Sequence, residues 1–247
     1  MIKILNLFGQ YFIFLGKILR KPEKLSLTRQ QVVREMDSMI TGSLFLISVI
    51  SFFMGAVLAI QLAAGIENPL IPLTTVGYGT RQSMILEFSS TVLSLILAGQ
   101  IGSNVTAEIG NMRISEQIDG LEVMGINSVN YLVLPKLIAS MLIFPLFTFI
   151  CMTLGTLGGY VACVQSGLLD TTTYIDGITM DFVPYHVTYA SIKMVFFSIL
   201  ITTISAFRGY YVDGGSREVG EASTKAIVNS SIFILIWNLI LTQLLLL

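Results

Sequence analysis

Glu87 and Lys193 stand inside long apolar runs, while Glu108, Arg113, Glu116, Asp119 and Glu122 crowd into residues 108–122. An ionisable group at mid-bilayer costs about 2.5–3.5 kcal/mol on insertion scales, so it faces protein or water. Two readings of Glu87 follow: it borders a cavity, or it pairs with Lys193, which can otherwise snorkel outward along its own run. Gln61 and Asn238 are polar groups in apolar runs that can bond across helices or border the same cavity. Catalytic chemistry finds little purchase. The sole histidine, His186, sits near Tyr185 and Tyr189 as an interfacial residue, with no second ligand for a metal. No G-x-x-x-x-G-K-[S/T] occurs, so this chain cannot cradle ATP phosphates in a P-loop. The glycine-rich GTLGGY, with Gly155, Gly158 and Gly159, lacks the lysine. Its Gly155-x-x-x-Gly159 spacing reads as a helix-packing face, and Ala98-x-x-x-Gly102 reads the same way.

TTVGYGT, residues 74–80, matches the string whose carbonyl oxygens replace the water shell of potassium in channels. A filter hangs from a short re-entrant helix, and the preceding GIENPLIPLT carries Pro69 and Pro72, which remove donors and break such a helix. Arg81 then places a cation where cations would enter. The expectation is a glycine-containing turn leading into a membrane span.

The elements that must position these residues are transmembrane. The 247 residues are 54% hydrophobic and 12% charged, with mean hydropathy +0.81, against about 25% charged in soluble domains. Five stretches reach the roughly 20 apolar residues of a spanning helix: 39–64, 78–107, 132–165, 187–207 and 226–247. Residues 2–19 read as an amphipathic interfacial helix, because Lys3 and Lys17 suit no full span. No signal-peptide cleavage pattern follows that run. Lys3, Lys17, Arg20, Lys21, Lys24, Arg29 and Arg34 precede the first span, and Arg208, Arg217 and Lys225 follow the fourth, whereas 166–186 holds three aspartates and no base. The bias puts the N-terminus in the cytoplasm and the C-terminus outside. The expected fold is therefore all-α integral membrane, with segment 1–38 ahead of a five-span domain, 39–247. The formal charge of −1 and the lack of a basic block after residue 34 set nucleic acid aside. Cys151 and Cys163, about 18 Å apart along one helix, cannot pair and read as apolar packers.

Residues 98–136 begin as membrane helix and then turn polar. Between 108 and 125, helical spacing puts Ile109, Met112, Ile118, Leu121 and Met124 on an apolar side, with Arg113, Glu116 and Asp119 largely on another. Such a helix lies along the inner membrane face with a polar surface free for a soluble partner; a solvated loop is the plainer reading of the same charges. The string TAEIGNMRISEQIDGLEVMG closely resembles the TAE-(I/L)-G-x-MR-x-x-EQ segment of the MlaE-type permeases, membrane subunits of ABC transporters that move lipids with MCE-domain proteins. FFMGAVLAIQ (52–61) looks like that family's first span, and Val76-Gly77 its small-residue entry to the second. Glu87 matches the acid of REL, Pro135-Lys136 its PR, Gly155, Gly158 and Gly159 a glycine cluster, and GGSREVGEASTKAIVNSS (214–231) its late glycine-rich run.

The resemblance implies a homodimeric membrane core above two cytoplasmic ABC ATPase subunits, in a bacterial inner membrane, serving an outer MCE-type carrier. It leaves room for a small STAS-like cytoplasmic subunit. ATP and Mg belong to the partner ATPase; this chain carries no cofactor and is not itself an enzyme. Glu108, Arg113, Glu116, Gln117, Asp119 and Glu122 become the ATPase-coupling surface, on a helix of about 108–125. A lipid cavity between the first, second and fifth spans takes in Gln61, Leu86, Glu87, Gln100 and Asn238. Three positions depart from the family: its arginine before the acid is Leu86, a second arginine is Gln100, and its fifth-span aspartate is Asn238. A potassium pore and a membrane scaffold without substrate are the competing classes.

Overall fold

The computed structural model describes residues 2–18, 25–66 and 70–246, with side chains from Gly9 in the first segment and from Thr28 in the second. All regular structure among them is helical. The helices are α1 (Ile2–Ile18), α2 (Leu25–Ala64), α3 (Thr74–Ile114), α4 (Gln117–Val123), α5 (Ser128–Gln165), α6 (Thr171–Thr179), α7 (Pro184–Tyr210) and α8 (Ser216–Leu246). α2, α3, α5, α7 and α8 are long and apolar enough to cross a membrane, so the fold is an all-α integral membrane one. Each apolar stretch of the sequence lies within one of these helices, except Leu247, outside the described residues. The helices run on past the apolar stretches, because ion pairs and caps at their ends satisfy the polar turns.

α7 is the most enclosed span, packed on α3, α5 and α8. α2 packs chiefly on α5, and there glycines bring the backbones together. A Cβ on Gly55 would stand 1.8 Å from the Gly155 carbonyl oxygen, and one on Gly158 2.0 Å from that of Phe52. Backbone cannot step aside, so only glycine fits. Gly159 faces the Tyr174 hydroxyl in the same way, and Gly102, four residues after Ala98, faces Ser205 on α7. Apolar faces of α2 (Phe45, Phe53, Val57) and α8 (Val228, Ile232, Leu235, Leu239) remain uncovered by the rest of the chain.

Three expectations need correction. Residues 74–80 form neither a turn nor a filter loop: Thr74–Ser83 is helix and opens α3. Its carbonyls are therefore engaged in helical bonds, which removes the potassium reading. Val76 is buried, and a Cβ on Gly77 would lie 2.5 Å from the Tyr174 carbonyl oxygen, so the glycine serves close packing on α6. Pro69 lies outside the described residues, and Pro72 precedes the helix. Second, 166–186 is not merely an acidic loop, since α6 folds back onto the start of α3 with Tyr174 fully buried. Burial pushes the Tyr174 phenol up to about 12. Third, Lys193 does not snorkel: it is fully buried, as is Tyr189 one turn before it.

α1 forms as expected, within Ile2–Ile18. Phe14 is buried against Phe207 and Tyr210, the Tyr11 hydroxyl is 2.7 Å from Thr203 Oγ1, and the Asn130 amide donates to the Ile18 carbonyl at 2.7 Å. The last bond satisfies a carbonyl orphaned at the helix end. The side chain of Lys3 lies outside the described residues, as do Arg20, Lys21 and Lys24. Cys151 and Cys163 are free and buried.

Candidate functional site

Polar side chains gather at three levels along α3. The first is mid-helix, where Met84–Val92 is π-helical. The Leu93 N–H reaches the Phe88 carbonyl there, and π-turns of this kind leave carbonyls free for side chains. Lys193 Nζ takes the Leu86 carbonyl at 3.5 Å and lies 3.3 Å from Glu87 Oε1 and 3.1 Å from the Tyr189 hydroxyl. Its ammonium also stands 4.8 Å from the centre of the Tyr189 ring, a cation–π contact. The Asn238 amide donates to Glu87 Oε2 at 3.2 Å; the Thr91 hydroxyl is 2.8 Å from that oxygen and 2.9 Å from Asn238 Oδ1, and donates to one at a time. Of the two readings of Glu87, pairing with Lys193 is therefore realised. Its side chain keeps 43% exposure, so the pair also borders open space.

Gln61 and Gln100 are not part of this cluster. Gln61 is exposed near the end of α2, and the Gln100 amide donates to the Gly42 carbonyl at 3.2 Å. Along α3, Gln100 stands about 20 Å from Glu87. Leu86 contributes its carbonyl, and its side chain is half-buried.

The second level was not legible in the sequence. Lys136, almost fully buried, bridges Glu35 on α2 at 2.7 Å and Glu108 on α3 at 2.6 Å. Glu108 is thereby engaged with the scaffold. A charge pair spread over three helices leaves no local spacing to read; the only signal was a lysine four residues inside an apolar run.

The third level is the turn after α3. The segment 108–125 is not one helix: α3 ends at Ile114, Glu116 takes the left-handed conformation at φ 59°, and α4 starts at Gln117. Gly125 at φ 77° then closes α4, with Ile126 N–H on the Leu121 carbonyl and Gly125 N–H on that of Glu122, a Schellman arrangement that favours glycine. Arg113 pairs with Asp119 across the turn at 2.6 Å, and Glu116 and Gln117 are exposed. Ile109 and Ile118 are buried as the apolar side requires, but Met124 is 67% exposed and Val123 89%, because the break rotates the tip of α4 away from the bundle.

Glu122 turns inward. Its Oε1 lies 2.8 Å from the Tyr210 hydroxyl and 3.0 Å from Ser128 Oγ, and those hydroxyls are 2.9 Å apart. Three oxygens share two protons, tying α4 to α5 and α7. Hydrogen bonds from Tyr210 and then Ser128 hold the Glu122 carboxyl below its ordinary value, with Arg113 and Lys17 adding to it. A depressed carboxylate stabilises the folded state above its unfolded pKa, and that contribution is lost as pH falls through the folded value. Tyr210→Phe should thus lower the melting temperature at neutral pH. The gap to wild type should close as pH is taken below the ordinary carboxylate range; a gap independent of pH would count against the bond. Beside this turn a cavity of about 640 Å³ is lined by bases (Lys17, Arg113, Arg208) and acids (Glu122, Asp213) alike. Among the described residues no group of three metal-ligating side chains occurs.

Residues 32–244 match the family described as Permease MlaE. The chain belongs to the MlaE permease family. A protein of Rickettsia prowazekii (strain Madrid E) described as "Probable ABC transporter permease protein RP096" is 33% identical over 246 residues, covering 98% of this chain and 90% of that one. A protein of Rickettsia bellii (strain RML369-C) described as "Probable ABC transporter permease protein" is 32% identical over 247 residues, covering 98% and 93%. The "Intermembrane phospholipid transport system permease protein MlaE" of Haemophilus influenzae is 28% identical over 233 residues, covering 94% and 88%. As an MlaE permease, the chain is of the ABC transporter permease type, a membrane subunit of no enzymatic family. Two of its clusters include residues of α3, and the third lies at the turn that ends that helix.

Proposed function

We propose that this permease is the membrane half of an ATP-driven lipid transporter in a bacterial inner membrane. Two copies meet through the uncovered apolar faces of α2 and α8 and enclose a cavity bordered by Glu87 and Asn238. Two cytoplasmic ABC ATPase subunits press on the 113–124 turn, and lipid passes between the bilayer and an MCE-type carrier outside. The observation that carries the reading is that α3 runs from the Glu87 cluster to the turn, while α4 presents exposed Val123 and Met124. A push on α4 therefore reaches α5 and α7 through Glu122, and α3 through the Arg113–Asp119 pair. The relation to a phospholipid transport permease supports a phospholipid substrate.

The departures from the family pattern fit together electrically. Among the described residues, Lys193 is the one cation bonded to Glu87. With Leu86 in place of an arginine, a second carboxylate at 238 would stand unbalanced beside it; the Asn238 amide donates instead.

The test is crosslinking from Val123→Cys, the native Cys151 and Cys163 being buried. A purified complex should yield an adduct with an ATP-hydrolysing subunit, and the thiol should be labelled from the cytoplasm. Labelling only from the outer side would overturn the orientation and the coupling role together.

A further inference from the structure

Arg81 is 97% buried near the start of α3 by its relative exposure of 3%, and it is bonded to no carboxylate among the described residues. Its Nη1 donates to the carbonyls of Ile178 and Met180, the latter at 2.8 Å, while Nη2 has only a 3.3 Å bond to the Asp181 carbonyl. The rings of Tyr78 and Phe182 stand 5.1 and 5.6 Å from the guanidinium carbon. Nε is buried with no hydrogen-bond partner. The groups bonded to this cation are dipoles and ring faces, with the Asp181 carboxylate acting on it only from beyond bonding distance, and a buried donor without an acceptor calls for one. The deficit is confined to the Nε–Nη2 edge, the side of the fork that takes an oxyanion through two parallel bonds.

Arg81 also lines a cavity of about 490 Å³, within the range of small-molecule sites. Its walls are apolar: Ile85, Phe149, Met152, Phe182 and Val187. The threonines beside them spend their hydroxyls on their own helices, as Thr153 does on the Phe149 carbonyl. Phe149 and Phe182 are exposed at its rim, and none of the residues lining the groove belongs to α2 or α8. Arg81 is separated from the 114–117 turn by roughly 50 Å of helix, about the thickness of a bilayer with its headgroups. It therefore sits at the headgroup level of the opposite leaflet.

We propose that this groove binds one glycerophospholipid of the outer leaflet, an acyl chain against Ile85, Met152 and Val187 and the phosphodiester on the Nε–Nη2 edge of Arg81. Binding requires the weakly held Asp181 carbonyl to give way. The site is separate from the Glu87 cavity, and it rests on the proposed function only for its leaflet, through the orientation assigned there.

The test is photolabelling of the purified full chain with a phosphatidylglycerol bearing a diazirine on one acyl chain, followed by peptide mapping. Labels should fall within 149–156 and at 187. Arg81→Gln should cut them about tenfold, the scale of one charge-assisted hydrogen bond, and leave labels on α8 near 238 unchanged. Ile85→Trp fills the groove without touching the guanidinium and should give the same loss, which keeps the test alive if Arg81→Gln fails to fold. A diacylglycerol carrying the same diazirine chain but no phosphate should label about tenfold less. The proposal is overturned if both variants label like wild type, if the diacylglycerol labels equally, or if 149–156 is covered by a partner's transmembrane segment.

Discussion

Lys193→Met is expected to stop lipid transfer and to lower the stability of the chain by about 2 kcal/mol, a drop of roughly 5 °C in melting temperature. Breaking a buried pair by removing one partner costs about 3–5 kcal/mol, because the other charge is left alone; the 43% exposure of Glu87 is the reason for the lower figure. Methionine keeps the length and apolar stem of the lysine while deleting the ammonium that Glu87, the Leu86 carbonyl and the Tyr189 hydroxyl share. Adding Glu87→Gln removes the stranded carboxylate, so the double variant should recover most of the stability but not transfer. Thermal unfolding of the two variants and wild type in detergent separates the two effects. Equal melting of the single variant and wild type would mean that the pair does not hold α3 to α7.

The second large effect belongs to Lys136. Lys136→Met leaves Glu35 and Glu108 facing each other with no cation between them, and should cost about 2 kcal/mol after allowance for the exposed side of Glu108. Glu35→Gln and Glu108→Gln each leave one ion pair intact and should cost less, with Glu108 the milder of the two because its side chain is 54% exposed. The ranking is the test, read by thermal unfolding. Negligible losses in all three would show that Lys136 acts by packing alone.

How far these residues could be read in advance depended on whether their partners were local. Spans are dictated by length and apolarity, so α2, α3, α5, α7 and α8 were legible as stretches. Glu87 and Lys193 were legible as costly residues in lipid that need a partner, and the structure supplies each with the other. The Glu35–Lys136–Glu108 bridge was not legible, since its members lie on three helices and Glu108 was assigned to the coupling surface instead. The break at Glu116 escaped for another reason: a left-handed non-glycine residue carries no signature in sequence, and an unbroken helix sends Met124 inward where the real turn sends it out. α6 was missed because its nine residues are held by Tyr174 and by the close contact of Gly177 with Gly77, neither of which is visible along the chain. Gln61 was grouped with Glu87 by its chemistry and Gln100 by the resemblance; Gln61 is exposed near the end of α2 and Gln100 bonds the Gly42 carbonyl instead.

The most direct measurement is phospholipid transfer in proteoliposomes that hold the chain together with its ATPase, in the presence of ATP or of a non-hydrolysable analogue. Transfer should require ATP hydrolysis, and Arg113→Ala or Glu116→Ala should abolish it while the chain still folds and ATP still binds. Transfer that proceeds equally without the chain, without hydrolysis, or with both substitutions in place would contradict the account.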